Sequence, residues 1–307
     1  MSHNAYSDLE NRKIDFWEIP NCIFCEKIVS HHFKPGTHHL NLKPPLQVVR
    51  CPDCHLLFLS PRPGKKLRKE LMMGIVPNEL SSYDQKTANY SIVNKGRKPL
   101  FDKRLELLDS LTKYKTNETR ILDIGASGGA FVDQAKEFGW QAFGIEPSNP
   151  CAEKNVEHQD IVQSIAENLP YPENNFDIVH ANHVFEHFIN PLQAANEVFR
   201  VLKPGGLLFI EVPNQLDNIM FLRDNLFNRI PQRKRNIRSI HHLYFFSIRT
   251  LKLLLESANF SNIKINDYYS WTSRGWRSFF SLLTRFFGLF FGGGDRLQAW
   301  AYKEDKQ

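Results

Sequence analysis

From Pro99 onward, apolar residues recur at helical spacing through Leu100, Phe101, Leu105, Leu107, Leu108 and Leu111. Short apolar runs then alternate with amphipathic stretches to the end of the chain. Arg120-Ile121-Leu122-Asp123-Ile124 reads as a strand, and the spacing of Phe131, Val132, Ala135 and Phe138 as the helix after it. Gln141 to Ile145 is a second strand, Ile161-Val162 a weak third, and Phe176 to Ala181 a fourth. A helix from about Pro191 to Leu202 is predicted to stop at Lys203-Pro204-Gly205-Gly206, since proline and glycine are natural terminators. Leu207 to Val212 is apolar at nearly every position, as in a strand buried on both faces. This rhythm predicts an α/β fold with a doubly wound, mostly parallel sheet.

Upstream the pattern changes. Four of the five cysteines fall in two C-x-x-C pairs, Cys22 with Cys25 and Cys51 with Cys54, separated by 25 residues. A two-residue spacer aims both thiolates of a pair at one metal about 2.3 Å away, so the four read as ligands of one structural Zn2+ in a ribbon. His38, His39 and His55 are poorer substitutes, and Cys151 stands alone. A site filled by four cysteines leaves no open coordination position, so this metal is read as structural and not catalytic. The expected organisation is a polar tail over 1–20 and a ribbon over 21–63. A connector over 64–97 follows, then an α/β domain over 98–307 with an insertion at 215–247.

Composition narrows the picture. With 42% hydrophobic and 23% charged residues, the chain can bury a core, which excludes disorder as the main theme. The first ten residues hold no apolar run, and no stretch approaches the ~20 apolar residues of a membrane span. A reducing cytoplasm is the expected location. The net charge of +6 permits an anionic partner without calling for nucleic acid.

The crevice at the carboxyl edge of such a sheet holds the ligand. Gly125, Ala126, Ser127, Gly128 and Gly129 lead from the first strand into a helix, where small residues let the backbone approach a ligand. Glu146, at the end of the neighbouring strand, is placed to accept ribose hydroxyls. A glycine loop alone does not separate a dinucleotide from S-adenosyl-L-methionine. Ser127 at the middle glycine of the dinucleotide fingerprint, and Asp123 inside the strand, both disfavour a pyrophosphate.

With these residues the chain resembles the class I S-adenosylmethionine-dependent methyltransferases, in particular the bacterial subgroup with an N-terminal zinc ribbon. The resemblance rests on the four cysteines and Phe58-Leu59-Ser60-Pro61-Arg62-Pro63, and on Leu122-Asp123-Ile124-Gly125-Ala126-Ser127-Gly128-Gly129. It continues through Phe176-Asp177-Ile178-Val179, His183-Val184-Phe185-Glu186-His187 and Leu202-Lys203-Pro204-Gly205-Gly206. Glu211-Val212-Pro213-Asn214 and His242-Leu243-Tyr244-Phe245-Phe246-Ser247 complete it. It implies a seven-stranded Rossmann-like methyltransferase sheet closed by Arg296 to Tyr302, and S-adenosyl-L-methionine as cofactor. The implied cofactor-binding residues are Asp123, Gly125, Ala126, Ser127, Gly129, Glu146 and Asn182. Ile165 stands where many relatives carry a carboxylate for the adenine, so that contact passes to backbone or to Glu167.

Methyl transfer to oxygen or nitrogen needs alignment and the removal of a proton, and histidine suits the second near neutral pH. The candidates are His183, His187 and His242; His180, inside a strand, reads as core, and Glu186 as a residue holding its loop. The chain lacks an Asn/Asp-Pro-Pro-aromatic tetrapeptide after the fourth strand, which points to oxygen methylation of a small-molecule, sugar or lipid-linked acceptor. Two rivals are an RNA methyltransferase that grips nucleic acid with its ribbon, and a non-catalytic zinc-ribbon scaffold. The arginine-rich insertion (Arg223, Arg229, Arg233, Lys234, Arg235 and Arg238) and an aromatic stretch from Trp276 to Phe291 raise a further expectation. A helix there would touch the acceptor or an anionic membrane.

Overall fold

The computed structural model describes residues 17–30, 47–72, 98–112, 118–147, 160–215, 241–268 and 294–304. His38, His39, Cys151, the basic part of the insertion and the aromatic stretch 276–291 lie outside the described residues. Among the described residues no helix is long and apolar enough to cross a membrane. The chain divides into two compact units. One comprises residues 1–84, 213–250 and 267–296, the other residues 85–212, 251–266 and 297–307.

The second unit is built on the predicted sheet. Its helix α2 (Lys98–Leu111) precedes strand β5 (Arg120–Ile124), helix α3 (Ala130–Glu137), strand β6 (Gln141–Ile145) and strand β7 (Ile161–Val162). Strand β8 (Phe176–Asn182), helix α4 (Pro191–Val201), strand β9 (Leu202–Pro213), helix α5 (Ile248–Ser257), strand β11 (Ser261–Tyr268) and strand β12 (Arg296–Tyr302) follow. The sheet has seven strands in the order β11-β12-β9-β8-β5-β6-β7, with β5, β6, β7, β8 and β9 running parallel to their neighbours in that set. From β5 the chain winds outward to β7, then returns to β8 on the other side. The switch point between β5 and β8 is where a ligand crevice forms.

The core follows from the pattern of the sequence. Leu105, Leu108, Phe131, Val132 and Ala135 pack on Ile121, Ile178, Leu207 and Phe209 of the sheet. Helix α4 starts at Pro191, where a missing N–H costs nothing, and Asn190 Oδ1 caps it by accepting from the Gln193 amide at 3.1 Å. It buries Pro191, Ala194, Ala195, Val198 and Val201 at helical spacing. The predicted stop differs in detail. The helix ends at Val201, and Leu202 is already extended and paired with Phe176. Strand β9 therefore includes the Lys203-Pro204-Gly205-Gly206 turn, taken up as a register shift between Phe176 and Ile178. Lys203 Nζ fastens this irregularity to Asp177 at 2.8 Å.

The first unit contains strands β1 (Trp17–Glu18), β2 (Val48–Arg50), β3 (Leu57–Leu59) and β4 (Arg62–Pro63), helix α1 (Lys65–Met72), and strand β10 (Tyr244–Phe245). β2 and β3 pair antiparallel, but two partners come from outside 21–63. β1 pairs antiparallel with β4, and β10 pairs antiparallel with β3, Tyr244 opposite Phe58. A three-residue hairpin is marginal alone, and β10 covers the edge that β3 would expose. Arg62 Nη1 donates to Tyr244 Oη at 2.9 Å, while Arg62 Nε donates to Glu18 at 2.6 Å. The two arginines Arg62 and Arg68 hold the Glu18 carboxyl below its ordinary value against the opposing effect of its burial. A chain cut at residue 98 would deprive β10 of its partner.

Tyr244 is 1% exposed and touches both Phe58 and Arg62. Tyr244→Ala should cost about 3–5 kcal/mol, as expected for deleting a buried aromatic ring. Tyr244→Phe, which removes only the oxygen facing Arg62, should cost about 1.5–3 kcal/mol. Equilibrium urea denaturation of the full chain measures both.

Candidate functional site

The turn between β5 and α3 is shaped by close approach. Gly125 has φ 76°, and a Cβ there would lie 2.3 Å from Val184 Cγ1, so the position excludes any side chain. Gly144, below the turn on β6, is equally constrained, since its Cβ would fall 2.6 Å from that of Ala126. The amides of Gly125 and Ala126 both donate to Ile145 O at 2.9 Å, anchoring the turn to the end of β6. Ser127 takes φ 50°, a left-handed conformation that explains why glycine is usual here. Its amide donates to Glu146 Oε2 at 3.0 Å. Gly129, at φ 79°, precedes the first residue of α3.

Around this turn the structure gathers the polar residues singled out in the sequence. Asp123 is 6% exposed, and its Oδ1 lies 2.7 Å from His180 Nδ1, the residue opposite it on β8. His180 is stacked between Phe131 and Phe209, at centroid distances of 4.2 and 5.9 Å. It is a core residue, as its place in the strand implied, and it also orients Asp123. Glu146 ends up buried beside Ser127. Asn182 closes β8, and its buried Oδ1 has no hydrogen-bond partner among the described residues. Such an orphaned acceptor is costly unless a ligand or water satisfies it. Glu167 is buried at the loop before α4. Its Oε1 accepts from the amides of Ile189 and Asn190 at 2.9 and 3.3 Å, tying its loop to the start of α4.

The three candidate bases do not share one setting. His183 follows β8, with Nε2 3.3 Å from Glu211 and Nδ1 3.6 Å from Glu186. Burial works to lower its pKa, but the nearby Glu186 and Glu211 carboxylates outweigh it and push the imidazole up to about 9. His187 ends a short 3-10 turn, Phe185–His187, its Nε2 3.8 Å from Glu186. His242 belongs to the other unit, where its Nδ1 lies 2.9 Å from Gln215 Oε1. Sequence reasoning missed Arg104 on α2 and used Glu211 only as a landmark. Arg104 ion-pairs with Glu211, and Gln298 donates to Glu211 Oε2 at 3.0 Å. The register of β5, β8 and β9, which joins these residues, is not written in any local motif.

In the first unit the two cysteine pairs adopt one geometry. The Cys22 amide donates to Lys27 O and the Glu26 amide to Cys22 O; the Cys51 amide donates to Leu56 O and the His55 amide to Cys51 O. Glu26 and His55, each following the second cysteine, have φ 55° and 66°. His55 is thus the turn residue of its knuckle, and the thiol cluster among the described residues is complete in four cysteines without it. The four Sγ atoms lie within 4.8 Å of one another, with Cys22 and Cys54 3.4 Å apart. A tetrahedral site with Zn–S of about 2.3 Å has sulfur edges of roughly 3.8 Å, so the spacing fits a metal. Burial and neighbouring thiols push Cys25 up to about 11, and Cys54 higher, so a central cation is what would hold these sulfurs as thiolates.

The model of a family described as a methyltransferase domain matches residues 93–265, more than half of the 307-residue chain. Uncharacterized methyltransferase YcgJ of Bacillus subtilis is 30% identical over 169 residues, covering 52% of this chain and 66% of that protein. Ubiquinone/menaquinone biosynthesis C-methyltransferase UbiE of a Ruegeria species is 32% identical over 127 residues, covering 37% of this chain and 50% of that protein. The chain thus spans between half and just under two thirds of the length of these relatives. Among solved structures, Haemonchus contortus phosphoethanolamine N-methyltransferase 2 in complex with S-adenosyl-L-methionine superposes with a TM-score of 0.51 at 16% identity. That likeness, over 81% of this chain and 63% of the other, is one of fold. With its glycine turn at the switch point of a seven-stranded sheet, the chain belongs to the methyltransferase-domain family and has the Rossmann-like fold of class I S-adenosyl-L-methionine-dependent methyltransferases.

Proposed function

We propose that the chain transfers a methyl group from S-adenosyl-L-methionine to an oxygen atom of a small-molecule, sugar or lipid-linked acceptor. The observation that carries this reading is the carboxyl edge at β5 and β8, where a side-chain-free turn at Gly125 stands beside Asp123, Glu146 and the unpartnered Oδ1 of Asn182. These groups fit the cofactor chemically. Asp123 would pair with its ammonium group, Glu146 would accept from its ribose hydroxyls, and Asn182 Oδ1 would accept from a remaining donor. The cofactor supplies an electrophilic methyl on a sulfonium, and the chain's own residues align the acceptor and take its proton. Oxygen as acceptor atom is favoured by Asn182-His183-Val184-Phe185 at the end of β8, which is not the Asn/Asp-Pro-Pro-aromatic sequence of amino-directed enzymes. In this reading Cys22, Cys25, Cys51 and Cys54 hold one structural Zn2+, the chain is of the zinc-ribbon subgroup, and the reduced thiols belong to a reducing cytoplasm.

Isothermal calorimetry tests the cofactor reading directly. Asp123→Ala and Glu146→Ala should each weaken S-adenosyl-L-methionine by about 10- to 100-fold, the range expected for losing a hydrogen bond to a charged group. Undiminished affinity in both variants would overturn the assignment. A screen with labelled methyl donor tests the acceptor class. Transfer to RNA stem-loops, with none to small or lipid-linked acceptors, would replace the reading by that of a nucleic-acid methyltransferase.

The metal is read separately. Elemental analysis of full-length protein purified without chelator should give about one equivalent of zinc, and Cys51→Ser should lose it together with stability. Metal-free wild-type protein would remove the zinc assignment while leaving the cofactor reading intact.

A further inference from the structure

His180 and His183 lie three residues apart at the carboxyl end of β8, and their neighbours give them different electrostatic surroundings. His180 sits between a carboxylate and a guanidinium, with Nδ1 2.7 Å from Asp123 Oδ1 and Nε2 3.5 Å from Arg104 Nη1. A guanidinium only donates, so Nε2 accepts, and Nδ1 carries the hydrogen that Asp123 receives. His183 sits between two carboxylates, with Nε2 3.3 Å from Glu211 Oε1 and Nδ1 3.6 Å from Glu186 Oε1. A carboxylate only accepts. These two contacts are ion pairs, and the ring meets both carboxylates favourably only as a cation.

The charge balance leads to the same state. Glu186 and Glu211 are each 1% exposed, and a buried carboxylate needs a compensating charge. Arg104 from α2 supplies one, on Glu211, and Gln298 from β12 adds a neutral donor. The protonated ring of His183 supplies the second, and the group of Arg104, Glu211, His183 and Glu186 is then neutral. His187 Nε2 approaches the same Glu186 Oε1 at 3.8 Å, against 3.6 Å for His183 Nδ1. The backbone holds the ring in place. His183 takes φ 55°, uncommon outside glycine, and its amide donates to Glu211 O at 2.8 Å. The next residue is Val184, whose side chain closes over Gly125 of the cofactor turn.

We propose that His183 is a fixed imidazolium clamped between Glu186 and Glu211, a positioning residue that holds Val184 over the Gly125 turn, and not the proton acceptor in methyl transfer. The inference rests on the methyltransferase reading for its role in a reaction, and on the described geometry alone for the state of the ring. Of the three candidate bases it leaves His187 and His242.

The test is nitrogen-detected NMR on full-length, 15N-histidine-labelled protein, with His183 assigned by its loss in His183→Gln. At pH 7 both ring nitrogens of His183 should be protonated, with a titration midpoint near 9, while His180 shows hydrogen on Nδ1 alone. Glu186→Gln, which keeps the shape and removes one charge, should lower the His183 midpoint by about 1–3 pH units. Because the folded value lies above the ordinary 6.5, the clamp's contribution to stability is whole below that pH and disappears as pH rises through about 9. The stability difference between wild type and His183→Gln should shrink over that window in urea denaturation. A His183 ring with a single protonated nitrogen at pH 7 would overturn the proposal, as would a stability difference equal at both ends of the window. Calorimetry with S-adenosyl-L-methionine separates the two layers. A neutral His183 in protein that binds the cofactor overturns the clamp alone, whereas a protonated His183 in protein that does not bind supports the clamp and removes the reaction built on it.

Discussion

A carboxylate at the end of a central strand, sealed from water, has to be matched by positive charge or the strand end cannot stay buried. Glu211 of β9 is that group, and much of the second unit is arranged to satisfy it. Arg104 reaches it from α2, a helix that precedes the sheet in sequence, and Gln298 reaches it from β12 near the end of the chain. His183 reaches it from the turn after β8, both through its ring and through its backbone amide. One buried charge thus draws together four segments that lie far apart in the sequence. The same Arg104 passes on to His180 and from there to Asp123, so the carboxylate at the cofactor turn and the carboxylate at the end of β9 belong to one hydrogen-bonded chain.

That chain explains how a loop of small residues becomes a site. Glycine alone makes the turn possible, but its shape is set by what surrounds it. Val184 closes over Gly125, Ala126 lies against Gly144, and Glu146 receives the Ser127 amide. Ser127 accepts a left-handed backbone that glycine would adopt without strain, and the hydrogen bond its backbone N–H donates to Glu146 is part of what keeps it there. Glu167, by contrast, commits one oxygen to the amides that begin α4, which makes it a fastener of the loop beside the crevice.

In the first unit the same logic works on a smaller scale. Two knuckles of identical hydrogen bonding converge four sulfurs, and a three-stranded sheet is completed only by β10, which arrives from residue 244. Tyr244 brings with it the Arg62 contact that also holds Glu18 of β1. The cysteine spacing marks out the knuckles, but the segments that cover them come from both sides of the expected boundaries. A ribbon this small has too little apolar surface to close on itself, and so recruits distant strands.

Local pattern determined the strands β5, β6, β8 and β9, the helices between them, the cysteine pairs and the glycine turn, because each is a matter of period, spacing or backbone freedom within a few residues. Asp123, Glu146 and Asn182 were legible for the same reason, as residues at the carboxyl ends of predicted strands. The individual setting of His183 was not, since a histidine's behaviour depends on neighbours such as Glu211, which lies 28 residues away along the chain. Nor could the sequence show that Lys203-Pro204-Gly205-Gly206 enters β9, because that follows from the pairing of Leu202 with Phe176. Strand register and burial are properties of the assembled sheet. They turned Arg104 from an unmarked position, and Glu211 from a mere landmark, into one buried ion pair, set His180 against Asp123, and placed His183 between two carboxylates, because only tertiary structure brings groups from distant segments into one dry place.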